Sequence, residues 1–148
     1  MQGSNRRRLS YGPLTEYVGY ALRRAQMATV ADFVAALKEL ELRPTQFAVL
    51  TVIKENPGVR QSEVCEALGI QKANFVPLLN ELQRRGFAVR RTAVADRRSS
   101  ALHLTSQGEA ILGRARGLHS TYEARLAARL GTRGRTQLLT LLKRLMQR

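Results

Sequence analysis

A group of polar and small side chains directly after Ile70 has the chemistry needed to recognise base edges in duplex DNA. A lysine donates to guanine O6 and N7 or to a phosphate, whereas asparagine and glutamine amides pair with adenine N6 and N7. Val76 and Pro77 add apolar surface that fits a thymine methyl group. The candidates for a DNA groove are Gln71, Lys72, Ala73, Asn74, Val76, Pro77 and Asn80. For Asn80, an ordinary solvated surface position is an equally good interpretation.

A second group of charged residues occupies a predicted turn at residues 95–100. Arg97 and Arg98 suit the narrow, electronegative minor groove, where a guanidinium is attracted without a base-specific bond. Asp96 fits such a place only if it pairs with one of these arginines and fixes its direction. An ordinary polar hairpin turn is the alternative interpretation. Four other arginines are expected to contact phosphates, which position a protein without specifying sequence: Arg84, Arg85, Arg90 and Arg91.

The elements that must position these residues are two short helices and a β-hairpin. Helices are predicted over residues 61–70 and 71–85, and strands over residues 87–91 and 101–104 flank the charged turn. A helix-turn-helix followed by a hairpin wing is typical of proteins that place one helix in the major groove of DNA. The fold class expected from this pattern is mainly α with a small β-hairpin wing.

The second of these helices has a clear inward face. Four apolar residues recur at helical spacing, which predicts that they face the core: Phe75, Leu78, Leu79 and Leu82. Pro77 lies inside the same helix, and proline removes a backbone N–H and disturbs a helix interior. We therefore expect the first turn to be kinked or the helix to begin late.

Composition agrees with a nucleic-acid partner. The chain has 148 residues, a formal net charge of +14 and a pI near 11.4, and such an excess of positive charge favours polyanions as partners. The single cysteine rules out an intramolecular disulfide, which suits a reducing cytoplasm. No run of roughly 18 apolar residues is present, so no transmembrane helix is expected. These features predict a cytoplasmic protein.

Both ends of the chain are predicted to form helices that need a partner. We expect a single domain over residues 1–148, with a basic arm at 1–12, dimerisation helices at 13–43 and 105–148, and the winged helix-turn-helix at 44–104. The arm contains Arg6, Arg7 and Arg8; a mobile tail is the default expectation, and a DNA-binding arm or a ligand contact are the alternatives. A break is expected at residues 131–134, followed by a leucine-rich helix that requires something to pack against.

Three motifs resemble the MarR family of transcriptional regulators, over roughly residues 14–148. They are Leu42-Arg43-Pro44-Thr45-Gln46-Phe47, Leu82-Gln83-Arg84-Arg85-Gly86-Phe87, and Asp96-Arg97-Arg98 followed by Leu104-Thr105-Ser106-Gln107-Gly108. The resemblance implies a homodimer whose terminal helices interlock and whose winged helices bind a pseudo-palindromic operator. It also implies repression that ends when a small, commonly aromatic, ligand binds between the dimerisation and DNA-binding regions. Pro77 departs from the family pattern, although the organic-hydroperoxide-sensing branch has a proline near this point.

Within the family, residues 17–26 and 74–79 most resemble the branch that controls aromatic-acid breakdown. This resemblance implies that the effector is an aromatic acid or its CoA thioester, such as p-coumaroyl-CoA. Arg23, Arg24 or the two basic last helices are candidates to bind its carboxylate or phosphates. An apolar slot for the ring is expected from Tyr17, Tyr20, Met27, Phe33 and Phe47, and for each of these plain core packing is the alternative. The phosphates of a bound CoA ester would repel the DNA phosphates and so weaken DNA binding without a large hinge motion.

Other functions fit the sequence less well. A ligand-independent or redox-responsive DNA-binding regulator is the alternative function. Cys65 lies in the helix-turn-helix, where a small buried hydrophobe is the common occupant, and the peroxide-sensing branch has its cysteine in the first helix. His103 and His119 are isolated and are expected as core or surface side chains, so no metal and no cofactor are predicted. An enzyme is not expected, because nucleophile, phosphate-loop and metal-ligand motifs are missing.

Overall fold

The protein is described by a computed structural model, which covers residues 9–92 and 100–147. Its elements in chain order are α1 (Val18–Leu37), α2 (Pro44–Glu55), β1 (Val59–Arg60), α3 (Gln61–Leu68), α4 (Lys72–Arg84), β2 (Ala88–Thr92), β3 (Ser100–Leu104) and α5 (Ser106–Met146). Short 3-10 helices precede and follow α1 at Gly12–Glu16 and Lys38–Leu40. The predicted fold class, mainly helical with a small β-hairpin, is confirmed.

The first helical stretch is less continuous than its apolar spacing predicts. Tyr17 has extended dihedral angles (φ −87°, ψ 124°) and separates the first 3-10 helix from α1. Glu41 adopts a left-handed conformation (φ 51°, ψ 34°) that ends the second 3-10 helix. Apolar spacing does not reveal such interruptions, because it reports which face is buried and not the backbone angle at one residue.

A buried polar contact fixes the start of α2. Pro44 occupies the first turn, where its fixed φ is favourable and its missing N–H costs no helical bond. The side chain of Gln46 turns back, and its Oε1 accepts a hydrogen bond of 2.9 Å from the backbone N–H of Arg43. Gln46 is fully buried, and this contact satisfies a backbone N–H at the start of the helix that has no partner within the helix itself.

The core of the winged helix-turn-helix lies between α2, α3, α4 and the sheet. The predicted inward face of α4 is confirmed, since all of its apolar members are buried: Phe75, Leu78, Leu79 and Leu82. They meet Ile53 of α2, Val64 of α3 and Leu102 of β3 in one hydrophobic cluster. Each fully buried side chain of this size contributes about 1.5–3 kcal/mol of burial free energy, so the module is held mainly by this cluster.

The sheet has three antiparallel strands in the order β1-β3-β2. In the hairpin, Val89 pairs with His103 and Arg90 pairs with Leu102. β1 adds a short edge, where Val59 pairs with Leu102 from the other side. The two predicted wing strands are therefore confirmed.

A close backbone contact explains the glycine at the start of α5. The hydroxyl of Thr105 caps the helix by accepting a 2.9 Å bond from the Gly108 N–H, and the Thr105 N–H donates to the Phe87 carbonyl at 3.1 Å. A Cβ at position 108 would lie 1.9 Å from that same carbonyl oxygen. Only glycine permits this approach, which joins α5 to the residue just before β2.

The long last helix bends where the sequence predicts a break. Gly131 has dihedral angles of φ 70° and ψ 158°, so α5 consists of two helical segments that meet at this residue. A left-handed φ costs little for glycine, since it has no Cβ. Within residues 9–92 and 100–147, no helix is both long enough and apolar enough to cross a membrane.

Candidate DNA interface and effector site

The outward face of α4 presents the side chains predicted for the DNA groove. All of them are exposed except Val76, which is half-buried: Gln71, Lys72, Ala73, Asn74, Pro77 and Asn80. Because the opposite face is anchored in the core, these side chains are held on a rigid support. The arrangement offers one cationic donor and three amides to a polyanionic partner.

Pro77 lies within α4 and does not interrupt it. The helix begins at Lys72 and continues to Arg84, so the predicted late start is wrong. Proline at this position removes the N–H that would bond the Ala73 carbonyl four residues earlier. The loss is tolerated because Ala73 is exposed, and water can solvate its carbonyl.

The hairpin adds positive charge beside α4. Arg90 and Arg91 are both exposed on β2, and the Nη2 of Arg90 donates to Oε1 of Gln61, the first residue of α3, at 3.5 Å. Nearby, Glu63 accepts bonds from Arg60, chiefly from its side chain and also from its backbone N–H, and these bonds hold the pKa of the Glu63 carboxyl below its usual range. Asp96, Arg97 and Arg98 of the predicted wing tip lie outside the described residues, as does the arginine run at residues 6–8.

Arg85 is predicted to contact a DNA phosphate, but in the structure its guanidinium binds groups within the protein. Its Nη1 donates to the Glu41 carbonyl at 2.7 Å, and its Nη2 donates to the Leu40 carbonyl at 3.0 Å. Its guanidinium also lies over the Phe87 ring, 4.7 Å from the centroid. These contacts turn the side chain toward the protein, so it is not oriented as a phosphate contact. Its neighbour Arg84 is exposed.

An aromatic cluster joins α1, α2 and α5. The rings of Phe33 and Phe47 meet edge to face with centroids 5.6 Å apart, and Tyr122 stacks on Phe33 at 5.0 Å. His119 lies 5.0 Å from both phenylalanines. The Tyr122 hydroxyl donates to the Thr29 carbonyl of α1 at 3.2 Å. We refer to Phe33, Phe47, His119 and Tyr122 as the aromatic cluster.

The structure therefore brings together two of the aromatic residues predicted for the effector, Phe33 and Phe47. Tyr17 and Met27 are 55% and 59% exposed and stand outside the aromatic cluster, and Tyr20 is half-buried elsewhere on α1. Sequence reasoning missed His119 and Tyr122 as members. Their three-residue spacing on one helix face is a signal for proximity to each other, but it does not indicate which other helix they meet.

A groove of about 350 Å³ lies between α1 and the two segments of α5. It is of a size that small-molecule sites commonly have. Apolar residues form most of its wall: Leu22, Ala25, Leu126, Leu130, Leu138, Leu139 and Leu142. At its polar edge Arg135 Nη2 lies 3.1 Å from Glu123 Oε2, and His119 Nε2 lies 3.9 Å from the same carboxylate. The carboxylate of Glu123 therefore lies between Arg135 of the groove and His119 of the aromatic cluster.

Two arginines stand on α1 near its N-terminus. Arg23 and Arg24 are both exposed, so their guanidinium groups are available to anions in solution.

In the described part of the chain, His, Cys, Asp and Glu do not form a group of three able to hold a metal ion. Cys65 is a half-buried free thiol in α3.

Comparison with known proteins agrees with this geometry. The model of the MarR family matches residues 40–99. A protein of Thauera aromatica, named as a transcriptional regulatory protein for the hcr operon, is 33% identical over 138 residues, which cover 93% of this chain and 83% of the relative. The chain belongs to the MarR family. This finding confirms the resemblance seen in the motifs and identifies the protein as a transcriptional regulator rather than an enzyme.

Solved structures of the family resemble this fold closely. The transcriptional repressor CouR bound to a 23-mer DNA duplex superposes with a TM-score of 0.91 at 42% identity, covering 95% of this chain and 99% of that one. CouR bound to p-coumaroyl-CoA gives a TM-score of 0.88 at 40% identity, with the same coverage. The similarity includes the terminal helices as well as the winged helix-turn-helix.

Proposed function

We propose that the protein is a transcriptional repressor that binds operator DNA as a homodimer and is released by p-coumaroyl-CoA or a closely related aromatic acyl-CoA. The observation that carries this proposal is the similarity over nearly the whole chain to CouR, a repressor bound to DNA in one structure and to p-coumaroyl-CoA in another. A regulator with this function works where the chromosome is, and we place it in the cytoplasm.

The DNA-binding half of the proposal is supported by the exposed face of α4. Lys72 and Asn74 project from a helix whose other side is fully packed. Lysine and asparagine both have partners in the major groove. Arg84, Arg90 and Arg91 supply positive charge for phosphates on either side.

The homodimer is supported by apolar surface that one chain leaves uncovered at both of its ends. On α1, Val18 and Met27 are 65% and 59% exposed. The segment of α5 after Gly131 exposes a larger set: Leu138, Leu139, Leu141, Leu145 and Met146. Exposed apolar area of this extent is typical of surfaces that bind another protein. A second copy supplies the same surface in a symmetric arrangement, so we assign residues 13–43 and 105–148 to dimerisation.

The effector half of the proposal is supported by the aromatic cluster and the groove beside it. A hydroxycinnamoyl group is flat and apolar, and rings such as Phe33 and Phe47 provide the stacking surfaces that it prefers. The CoA moiety carries phosphates, which guanidinium groups bind well. Arg23 and Arg24 are exposed on α1, and we assign them to these phosphates.

Release from DNA then has an electrostatic cause. Bound CoA adds several negative charges to a protein whose DNA affinity depends on a net charge of +14. Like charges near the DNA backbone weaken association without a large movement of the helices. This mechanism also predicts that release becomes less efficient at high salt, because salt screens the repulsion.

A titration tests the DNA-binding half. Purified protein is added to a fluorescein-labelled duplex from the region upstream of its own gene and, in parallel, to a scrambled duplex of equal length, at near-physiological salt. We expect saturable anisotropy only on the first duplex, and sedimentation should give two chains per duplex. Equal binding to both duplexes, or one chain per duplex, would refute the proposed operator-binding homodimer.

A further inference from the structure

The second half of α4 is fastened to the segment that joins α1 to α2, residues 40–43. Arg85, directly after α4, donates to the carbonyls of Leu40 and Glu41. One turn earlier, Glu81 forms an ion pair with Arg43. We refer to Arg43, Glu81 and Arg85 as the linker clamp. It connects the helix proposed to enter DNA with the end of the first dimerisation helix.

The linker clamp holds a backbone conformation that is unfavourable by itself. Glu41 has a φ of 51° and is the one non-glycine residue with a positive φ in the described part of the chain. Residues with a Cβ adopt this region rarely, and the conformation persists where neighbours hold it in place. Here the neighbour is Arg85, which binds the carbonyl of Glu41 itself.

The guanidinium of Arg85 also contacts an aromatic ring. Its guanidinium lies over the ring of Phe87, and the carbonyl of Phe87 accepts the N–H of Thr105 at the start of α5. A planar guanidinium can bind two carbonyls and lie over a ring at once, whereas a lysine ammonium cannot reproduce this geometry. The arrangement therefore connects the end of α4 to the segment that follows α1 and, through Phe87, to the start of α5.

We infer that the linker clamp is a positioning device that sets the separation of the two α4 helices in the homodimer, and with it the spacing of operator half-sites that the protein accepts. Half-site spacing reflects the distance between symmetry-related recognition helices. If α4 can shift relative to α1, that distance is no longer unique. The inference rests on the proposed function, because it needs a dimer that binds two half-sites.

The experiment compares the wild-type protein with Arg85→Gln on three duplexes. One holds the operator from upstream of the protein's own gene, and the others have one base pair inserted or removed at its centre. The readout is the spacing ratio, defined as Kd on an altered duplex divided by Kd on the native one. We expect a high ratio for the wild type and a roughly fivefold lower ratio for Arg85→Gln, within the range of coupling measured between contacting residues.

Arg84→Gln is the matched control. It removes the same charge from the exposed neighbouring residue, so it should weaken binding to all three duplexes by one common factor and leave the spacing ratio unchanged. A loss of stability alone would also lower the active fraction equally for all duplexes and would not change the ratio.

Glu81→Gln provides a second variant that keeps both hydrogen bonds of Arg85 and removes the ion pair to Arg43. We expect Glu81→Gln to lower the spacing ratio by a smaller factor than Arg85→Gln does. If Arg85→Gln does not fold, the spacing ratio of Glu81→Gln alone tests the inference. Wild-type ratios in both folded variants, or in Glu81→Gln alone if Arg85→Gln does not fold, would overturn the inference. Failure of the wild type to bind any duplex would instead refute the proposed function, and the inference with it.

Discussion

The imidazole of His119 stacks on the ring of Phe47, with centroids 5.0 Å apart and planes inclined by 26°. His119 belongs to α5 and Phe47 to α2, so this contact joins a helix assigned to dimerisation with the first helix of the DNA-binding module. A flat aromatic effector that entered here would contact both parts of the molecule at once.

Replacing Phe47 with alanine tests the role of the aromatic cluster. Phe47 is partly buried against the core, so we expect the free energy of unfolding to fall by about 2 kcal/mol, less than the ~3–5 kcal/mol typical of fully buried phenylalanines. We also expect p-coumaroyl-CoA to bind at least about tenfold more weakly, because a stacking surface is lost. Urea denaturation and calorimetric titration measure the two effects.

Phe47→Leu is the control for this change, since leucine restores much of the apolar volume without the ring. It should recover most of the stability but not the effector affinity. If Phe47→Ala binds p-coumaroyl-CoA as tightly as the wild type, the aromatic cluster is a core feature and not part of the effector site.

Replacing Asn74 with alanine tests the DNA face of α4. Asn74 is exposed, so the change should leave folding intact and cost about 1–3 kcal/mol of operator binding, with relaxed specificity at one base-pair position. Anisotropy titrations on a set of single-base operator variants measure both effects. A uniform loss on every variant would indicate a phosphate contact instead, and no loss would place Asn74 outside the interface.

Neutralising Arg23 or Arg24 tests their assignment to the CoA phosphates. Both side chains are exposed, so each glutamine variant should weaken p-coumaroyl-CoA binding by about 1 kcal/mol, the upper range for solvent-exposed ion pairs. The effect should shrink as salt rises. Lys38→Gln, also at an exposed position, is the charge control. Unchanged affinity in both arginine variants would remove these residues from the effector site.

A pair of glycine substitutions in α5 tests the close contact between Phe87 and Gly108. Gly108→Ala should destabilise the protein by about 3 kcal/mol, because a Cβ there overlaps the Phe87 carbonyl and overpacking costs of this order are known. Gly113→Ala should instead stabilise it by roughly 0.5–1 kcal/mol, because a Cβ at that position meets nothing within 4 Å. Urea unfolding of both variants is the measurement. Equal stability of the two would contradict the contact.

Local patterns predicted much of this molecule. The i, i+3, i+4, i+7 spacing from Phe75 to Leu82 gave the inward face of α4 correctly, because the helical period alone determines which side chains share a face. The break at Gly131 was also predictable, since glycines interrupt helical patterns for a local reason. The resemblance to the MarR family added predictions of the whole architecture and of the function as a transcriptional regulator.

Contacts between distant elements were not predictable in the same way. A phosphate contact was predicted for Arg85 because the sequence shows its charge and nothing of its neighbours. The carbonyls of Leu40 and Glu41 that it binds lie more than 40 residues away in sequence. His119 was predicted to be isolated for the same reason, since two of its ring partners, Phe33 and Phe47, come from two other helices. Single-sequence periodicity contains no information about which helix packs on which.

The most direct test of the central claim is release of the protein from its operator by the proposed effector. A preformed complex with labelled operator is titrated with p-coumaroyl-CoA and, separately, with p-coumarate and with free coenzyme A at equal ionic strength. We predict that the thioester alone returns the anisotropy to that of free duplex at low concentration. A complex that persists throughout the p-coumaroyl-CoA titration would contradict the assignment of this effector.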